Sequence, residues 1–169
     1  TGQKNQAMLI RAFASIAGEV EQELRIYGEG ELRGELEELI ASLGMEKRIR
    51  LMGASDNMPE ALAGAGLFVL PSDYEGMPNA LLEAMASGLC CIATACPCGG
   101  PEAVIEDGIS GRLIPVGEET ALRDAMLELL RDEDKRREMG AKARRRAESF
   151  RPQAIFEQWR QYLESILGA

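Results

Sequence analysis

Two glutamates eight residues apart, Glu75 and Glu83, sit in the run PSDYEGMPNALLEAMASG at residues 71–88. An apolar stretch ends at Leu70, a polar loop follows, and proline at position 78 suits the first turn of a helix that Gly88 would close. The unpaired amides and positive dipole end of such a helix attract anionic oxygens. Pro78 has no N–H, so Met77, Asn79 and Ala80 are the expected donors, with Gly76 letting a ligand approach the backbone closely. Most of the interval between the glutamates is helix at about 1.5 Å per residue, too long for the close carboxylate pair of a glycosidase. They are instead expected to hold two ends of one extended ligand. A carboxylate accepts two hydroxyl hydrogen bonds, which suits the vicinal diols of a sugar or a ribose, and a diphosphate would lie between them over the helix start. The bland alternative makes Glu75 a dipole complement and Glu83 a solvated side chain. Against it, Glu83 interrupts the apolar run ALLEAMA, where a lone carboxylate is costly unless satisfied.

These residues need a scaffold, and the rest of the chain reads as one. Short apolar runs at residues 24–28, 48–53, 67–72, 90–94 and 111–116 alternate with segments of helical period at 6–17, 31–43, 58–64, 78–87, 118–130, 133–147 and 152–167. Strand–helix alternation predicts an α/β, Rossmann-like domain: a mostly parallel sheet with helices on both faces and ligands outside the carboxyl ends of the strands. LFVL lacks polar alternation, as expected of a strand covered on both sides. The whole of residues 1–169 is read as a single domain. Its start, TGQKNQ, reads as a strand-to-helix loop whose preceding strand is missing, and a chain so exposed would be prone to self-association by edge pairing.

Composition narrows the partners. Hydrophobic residues make up 46% and charged residues 28% of 169, as in a folded globular domain. The net charge of -9 argues against nucleic acid, which needs clustered Lys and Arg. No apolar run approaches a membrane span, and cytoplasmic placement is expected. Cys90, Cys91, Cys96 and Cys98 form no CxxC pair and histidine is absent, so no metal site is expected. Arg144, Arg145 and Arg146 are consecutive on a helix and read as a solvated face.

The run EGMPNALLEAMASG resembles the E-x7-E motif of the retaining GT-B glycosyltransferases, the large family called GT4 or glycosyl transferases group 1. Other segments fall in that family's order: QKNQAMLIRAF, GEGELRGELEELI, RIRLMG and GGPEAVIEDGISGRLIPVGE. The resemblance implies one half of a GT-B fold, the half that binds the donor. Glu75 would contact hydroxyls of the transferred sugar and Glu83 the ribose hydroxyls. Lys4 would neutralise the diphosphate, and the loop amides from Gly76 to Ala80 would cradle it. Gly28 would be donor-binding, backbone at Ile49, Arg50 and Leu51 would meet the nucleobase, and Gly99 and Gly100 lie in a loop near the donor that would help select the sugar. The family's matching arginine would fall before Thr1. Cys90 and Cys91 depart from the proline and valine usual there.

The implied substrate is a nucleoside-diphosphate sugar, with uridine as the guessed base and no separate cofactor or metal. The acceptor, a glycan or lipid-linked sugar, would be held by an N-terminal domain, to which residues 151–169 would cross back. That role would explain an apolar stripe of Ile155, Phe156, Trp159, Tyr162, Leu163 and Ile166. Glycan, polysaccharide or glycolipid synthesis, with peripheral association at the inner membrane face, is the corresponding expectation, and the isolated domain would not turn over. Two rivals are a GT-B sugar-nucleotide epimerase and a noncatalytic nucleotide-sugar-binding module.

Overall fold

A computed structural model describes residues 2–168. A short 3₁₀ turn, Gly2–Lys4, leads into α1 (Gln6–Ile16), then β1 (Leu24–Tyr27), α2 (Arg33–Ser42), β2 (Ile49–Gly53), α3 (Met58–Ala63) and β3 (Phe68–Leu70). There follow α4 (Asn79–Ala86), β4 (Cys91–Ala95), α5 (Gly100–Val104), β5 (Arg112–Pro115), α6 (Glu119–Arg131) and α7 (Glu133–Ala147). A second 3₁₀ turn, Glu148–Phe150, precedes α8 (Pro152–Leu167). Local signals account for many boundaries. Asn57 caps α3 by accepting from the Glu60 amide, and Asp132 caps α7 by accepting from that of Lys135 at 2.8 Å.

All strand pairing is parallel, and helices cover both faces. On one face Ile26, Ile49, Ile92 and Ile114 pack with the buried residues of α1, α2 and α6. On the other, Leu70, Cys91 and Ala93 pack with α3, α4, α5 and α7. The run CCIA is apolar throughout because alternate residues of β4 feed the two cores. Arg48 closes the α1–β1 connection: its guanidinium donates to the carbonyls of Ala17, Val20 and Gln22 and lies over the Phe13 ring.

The parallel α/β architecture is the expected one, with its strands in two sheets. β1 pairs with β2, and β3, β4 and β5 form a second sheet; β1 and β3 are not joined. The two sheets nevertheless share the core built on α1 and α6. Two differences are local. Residues 100–104, assigned to no strand or helix from the sequence, form a short helix, α5. Pro78 precedes α4 as its cap residue rather than opening it, because its backbone is still extended (ψ 92°). Along α8 the anticipated apolar stripe is present but uncovered, with Phe156, Trp159, Tyr162, Leu163 and Ile166 all exposed.

The approach of α7 to the end of α4 depends on Gly140, where a Cβ would lie 2.1 Å from the Gly88 carbonyl oxygen. Backbone is on both sides, so the clash cannot be relieved by a rotamer change. Gly140→Ala is expected to lower stability by about 1–3 kcal/mol in thermal denaturation; an unchanged melting temperature would contradict this packing.

Candidate active site

Glu75 lies in the β3–α4 loop and is 8% exposed. Its Oε1 receives two donors, the Lys4 ammonium at 2.5 Å and the Ser72 hydroxyl at 2.7 Å. Oε2 is left without a side-chain partner among the described residues and is not sealed from solvent. Lys4 reaches Glu75 because the start of the chain is stitched to this loop. The Asp73 amide donates to the Gln3 carbonyl at 2.8 Å, the Gln3 side-chain amide to the Tyr74 carbonyl at 2.6 Å, and that of Asn5 to the Asp73 carboxylate at 2.8 Å. Asn5 turns the chain into α1 in the left-handed region (φ 43°), which asparagine tolerates better than most residues.

The floor of the loop is equally constrained. Ser72 is fully buried, and its carbonyl accepts from the Thr94 hydroxyl and from the Cys96 thiol, the latter at 3.2 Å. The Cys98 thiol donates to the carbonyl of Glu75. Gly100 presses directly on Gly76: a Cβ there would fall 1.6 Å from the Gly76 carbonyl oxygen. Strand β4 and the turn after it thus fix the backbone on which Glu75 rides.

Helix α4 then presents its amino end. The Leu81 and Leu82 amides both donate to the Pro78 carbonyl, leaving those of Asn79 and Ala80 without a backbone acceptor. Pro78 itself is buried, whereas Gly76, Met77, Asn79 and Ala80 are exposed. Glu83 is also exposed, on the outer strip of an amphipathic helix that buries Leu81, Ala84 and Met85. This corrects the reading of Glu83 as an unsatisfied carboxylate among apolar residues, since water satisfies it. Its place on the cleft, not a desolvation cost, is what marks it.

A cleft of about 930 Å³ runs between the two sheets and is lined in part by Lys4, Gly28, Leu51, Ser72, Ala80 and Glu83. Glu75 stands behind its wall, linked to it through Lys4 and Ser72. At Gly28 the chain leaves β1 with φ 126°, a conformation glycine adopts readily, and its amide donates to Gly53 at 2.8 Å. Ile49 is buried at the start of β2 and does not line the cleft; Arg50 is exposed and faces Glu23; Leu51 does line it, with Ala54 and Ser55 at the strand's carboxyl end. Gly99 adopts φ 72° at the start of α5 and Gly100 borders the Glu75–Gly76 backbone; neither lines the cleft. Ser72, Thr94 and Cys96 were not anticipated. Only the serine three residues before Glu75 hinted at a local hydrogen bond.

Residues 1–146 match the family described as glycosyl transferases group 1. The chain belongs to this family. It is 37% identical over 160 residues to N-acetyl-alpha-D-glucosaminyl L-malate synthase of Bacillus anthracis, the match covering 94% of this chain and 42% of that protein. Among solved structures it resembles S. aureus TarM in complex with fondaparinux, alpha-GlcNAc-glycerol and UDP. The TM-score is 0.89 at 27% identity, over 95% of this chain and 33% of that one. It also resembles the pneumococcal O-GlcNAc transferase GtfA in complex with UDP and GlcNAc, with TM-score 0.83, 28% identity and coverage of 100% and 34%. The chain therefore spans less than half the length of the proteins it matches. Among the described residues no helix is long and apolar enough to cross a membrane.

The four cysteines of this group 1 domain differ sharply in environment. Burial pushes the Cys90 thiol up to about 11 and that of Cys91 well above its ordinary range, and it raises Cys96 as well. Raised values keep these thiols neutral and unreactive near neutral pH. Cys98 alone is exposed. Titration with a thiol reagent is expected to modify one cysteine quickly and the other three only on unfolding; a second fast equivalent would contradict the packing of the 96–100 turn.

Proposed function

We propose that this chain is the donor-binding part of a glycosyltransferase that moves a sugar from a nucleoside-diphosphate sugar to an acceptor with retention. The observation that carries the reading is the grouping of Lys4, Ala80 with its open amide, and Glu83 on one cleft, with the open amide of Asn79 beside it and Glu75 behind Lys4. The diphosphate lies over the amino end of α4, where amides and an ammonium oppose its charge. As the glycosidic bond to the diphosphate breaks, negative charge grows on the leaving oxygen. The amides are fixed at the amino end of α4, and Lys4, held by Glu75 beside it, turns toward the bound diphosphate, so both are in place before the charge grows. Glu75 takes sugar hydroxyls through its accessible Oε2 and orients the sugar without becoming glycosylated. Glu83 accepts the ribose hydroxyls.

Uridine is the proposed base, supported by the UDP bound in TarM and GtfA. The acceptor, a glycan or lipid-linked sugar, is held by polypeptide outside these residues, and the exposed stripe on α8 is a suitable surface for packing against it. Glycan or glycolipid synthesis is the corresponding process.

Calorimetric titration with UDP tests this reading. Glu83→Gln, which keeps the shape of the side chain, is expected to weaken binding by about 1–3 kcal/mol through loss of charged hydrogen-bond acceptance. Lys4→Ala is expected to weaken it and flatten its salt dependence. No heat of binding by the parent chain, or titration curves unchanged by both substitutions, would refute the proposal.

A further inference from the structure

A second hollow lies at the opposite end of α4 from the donor amides. It holds about 510 Å³ and is lined by Gly88 and by Arg137, Ala141, Arg144, Arg145 and Glu148. These last five recur at helical spacing and form one stripe along α7 and the turn that follows it. The close contact of Gly140 with the Gly88 carbonyl fixes that stripe against the end of α4. Of the three consecutive arginines, Arg146 is not part of it. Its guanidinium donates to the carbonyls of Ala103 and Val104 and lies over the Phe150 ring.

Arg144 and Arg145 differ from most cations of the chain. Both are exposed, and among the described residues neither makes an ion pair or donates a hydrogen bond. Glu148 is one helical turn from both, yet its carboxylate pairs with Arg151 at 2.7 Å. Glu133 is taken in turn by Arg137 at 2.6 Å. With 28 acidic residues against 19 basic ones, carboxylates are in surplus, and still two adjacent guanidiniums in one hollow are left without one. Helix dipoles account for part of this. The carboxyl ends of α4 and α7 meet here, and each presents about half a negative charge. Together they offset about one of the two unpaired charges, so roughly one positive charge remains.

We propose that this hollow binds a phosphate group. A guanidinium offers a rigid fork of N–H donors that matches phosphate oxygens two at a time, and two neighbouring forks suit a doubly charged group. The volume is that of a site for one small ligand. The same chemistry is offered by a free phosphate and by a lipid headgroup. The eight residues of α4 place this hollow about 12 Å from the donor amides, so the inference stands apart from the transferase reading.

Proton–nitrogen NMR with sodium phosphate tests it, read at the side-chain N–H groups of Arg144 and Arg145 and at the amides of Gly88 and Ala141. Saturating shifts are expected, whereas sodium chloride at equal ionic strength should produce only a weak, linear drift. Replacing both arginines, Arg144→Gln with Arg145→Gln, should weaken phosphate binding at Gly88 and Ala141 at least tenfold. Lys142→Gln, which removes a nearby charge paired with Glu138 outside the hollow, should leave it unchanged. Equal responses to the two salts, or a titration that the double substitution leaves intact, would overturn the proposal; the first comparison needs no variant. Sedimentation with phosphatidylglycerol vesicles separates the sources. Saturation by inorganic phosphate without vesicle binding assigns a soluble phosphate, and vesicle binding lost in the double variant assigns a headgroup. Response to neither overturns the inference. Asn79 and Ala80 report the donor site in the same spectra, so failure here leaves that proposal to its own test.

Discussion

A carboxylate taken nearly out of water must be answered by donors, and Glu75 imposes that demand on the whole carboxyl end of this fold. Lys4 and Ser72 answer it from opposite directions in the sequence, 71 and three residues away. To bring Lys4 there, the turn before α1 is tied to Asp73 and Tyr74; to hold Ser72, Thr94 and Cys96 grip its carbonyl. Gly100 then lets the next turn close on Gly76. Three separate stretches of chain converge on one side chain, which is how a parallel sheet builds a site: residues far apart in sequence meet where the strands end.

The energetics of that cluster differ from those of the surrounding surface. Exposed ion pairs such as Arg137–Glu133 and Arg160–Glu164 follow helical spacing and contribute little. The Lys4–Glu75 pair is asymmetric: the carboxylate is sheltered and the ammonium half-exposed. Such a lysine can turn its charge toward an arriving anion at low cost, while Ser72 keeps the carboxylate oriented. In the proposed function this is the difference between a structural bridge and a donor site at rest.

Much of this was legible in the sequence because the signals were local. Hydrophobic period placed α7 and α8 at their observed bounds, and uninterrupted apolar runs identified β3 and β4 as strands between helical layers. The E-x7-E run located the loop and helix that carry both glutamates. What was not legible was relational. Nothing in position 83 announced whether its carboxylate faced solvent or core, and the apolar neighbours pointed the wrong way because Leu81, Ala84 and Met85 occupy the other side of the helix. The short helix α5 was hidden by a glycine- and proline-rich composition that reads as loop. The separation of β1 from β3 is a property of spatial order, which sequence order alone does not give.

The central claim is that an anion sits on the amino end of α4, between Lys4 and Glu83. Proton–nitrogen NMR during titration with UDP addresses it most directly, because each amide reports its own surroundings. The account predicts that the largest shifts fall on Asn79 and Ala80, with Gly28 and the residues beside Lys4 following the same saturation. Shifts confined to other surfaces, such as the arginine-rich end of α7, with Asn79 and Ala80 unmoved, would contradict it.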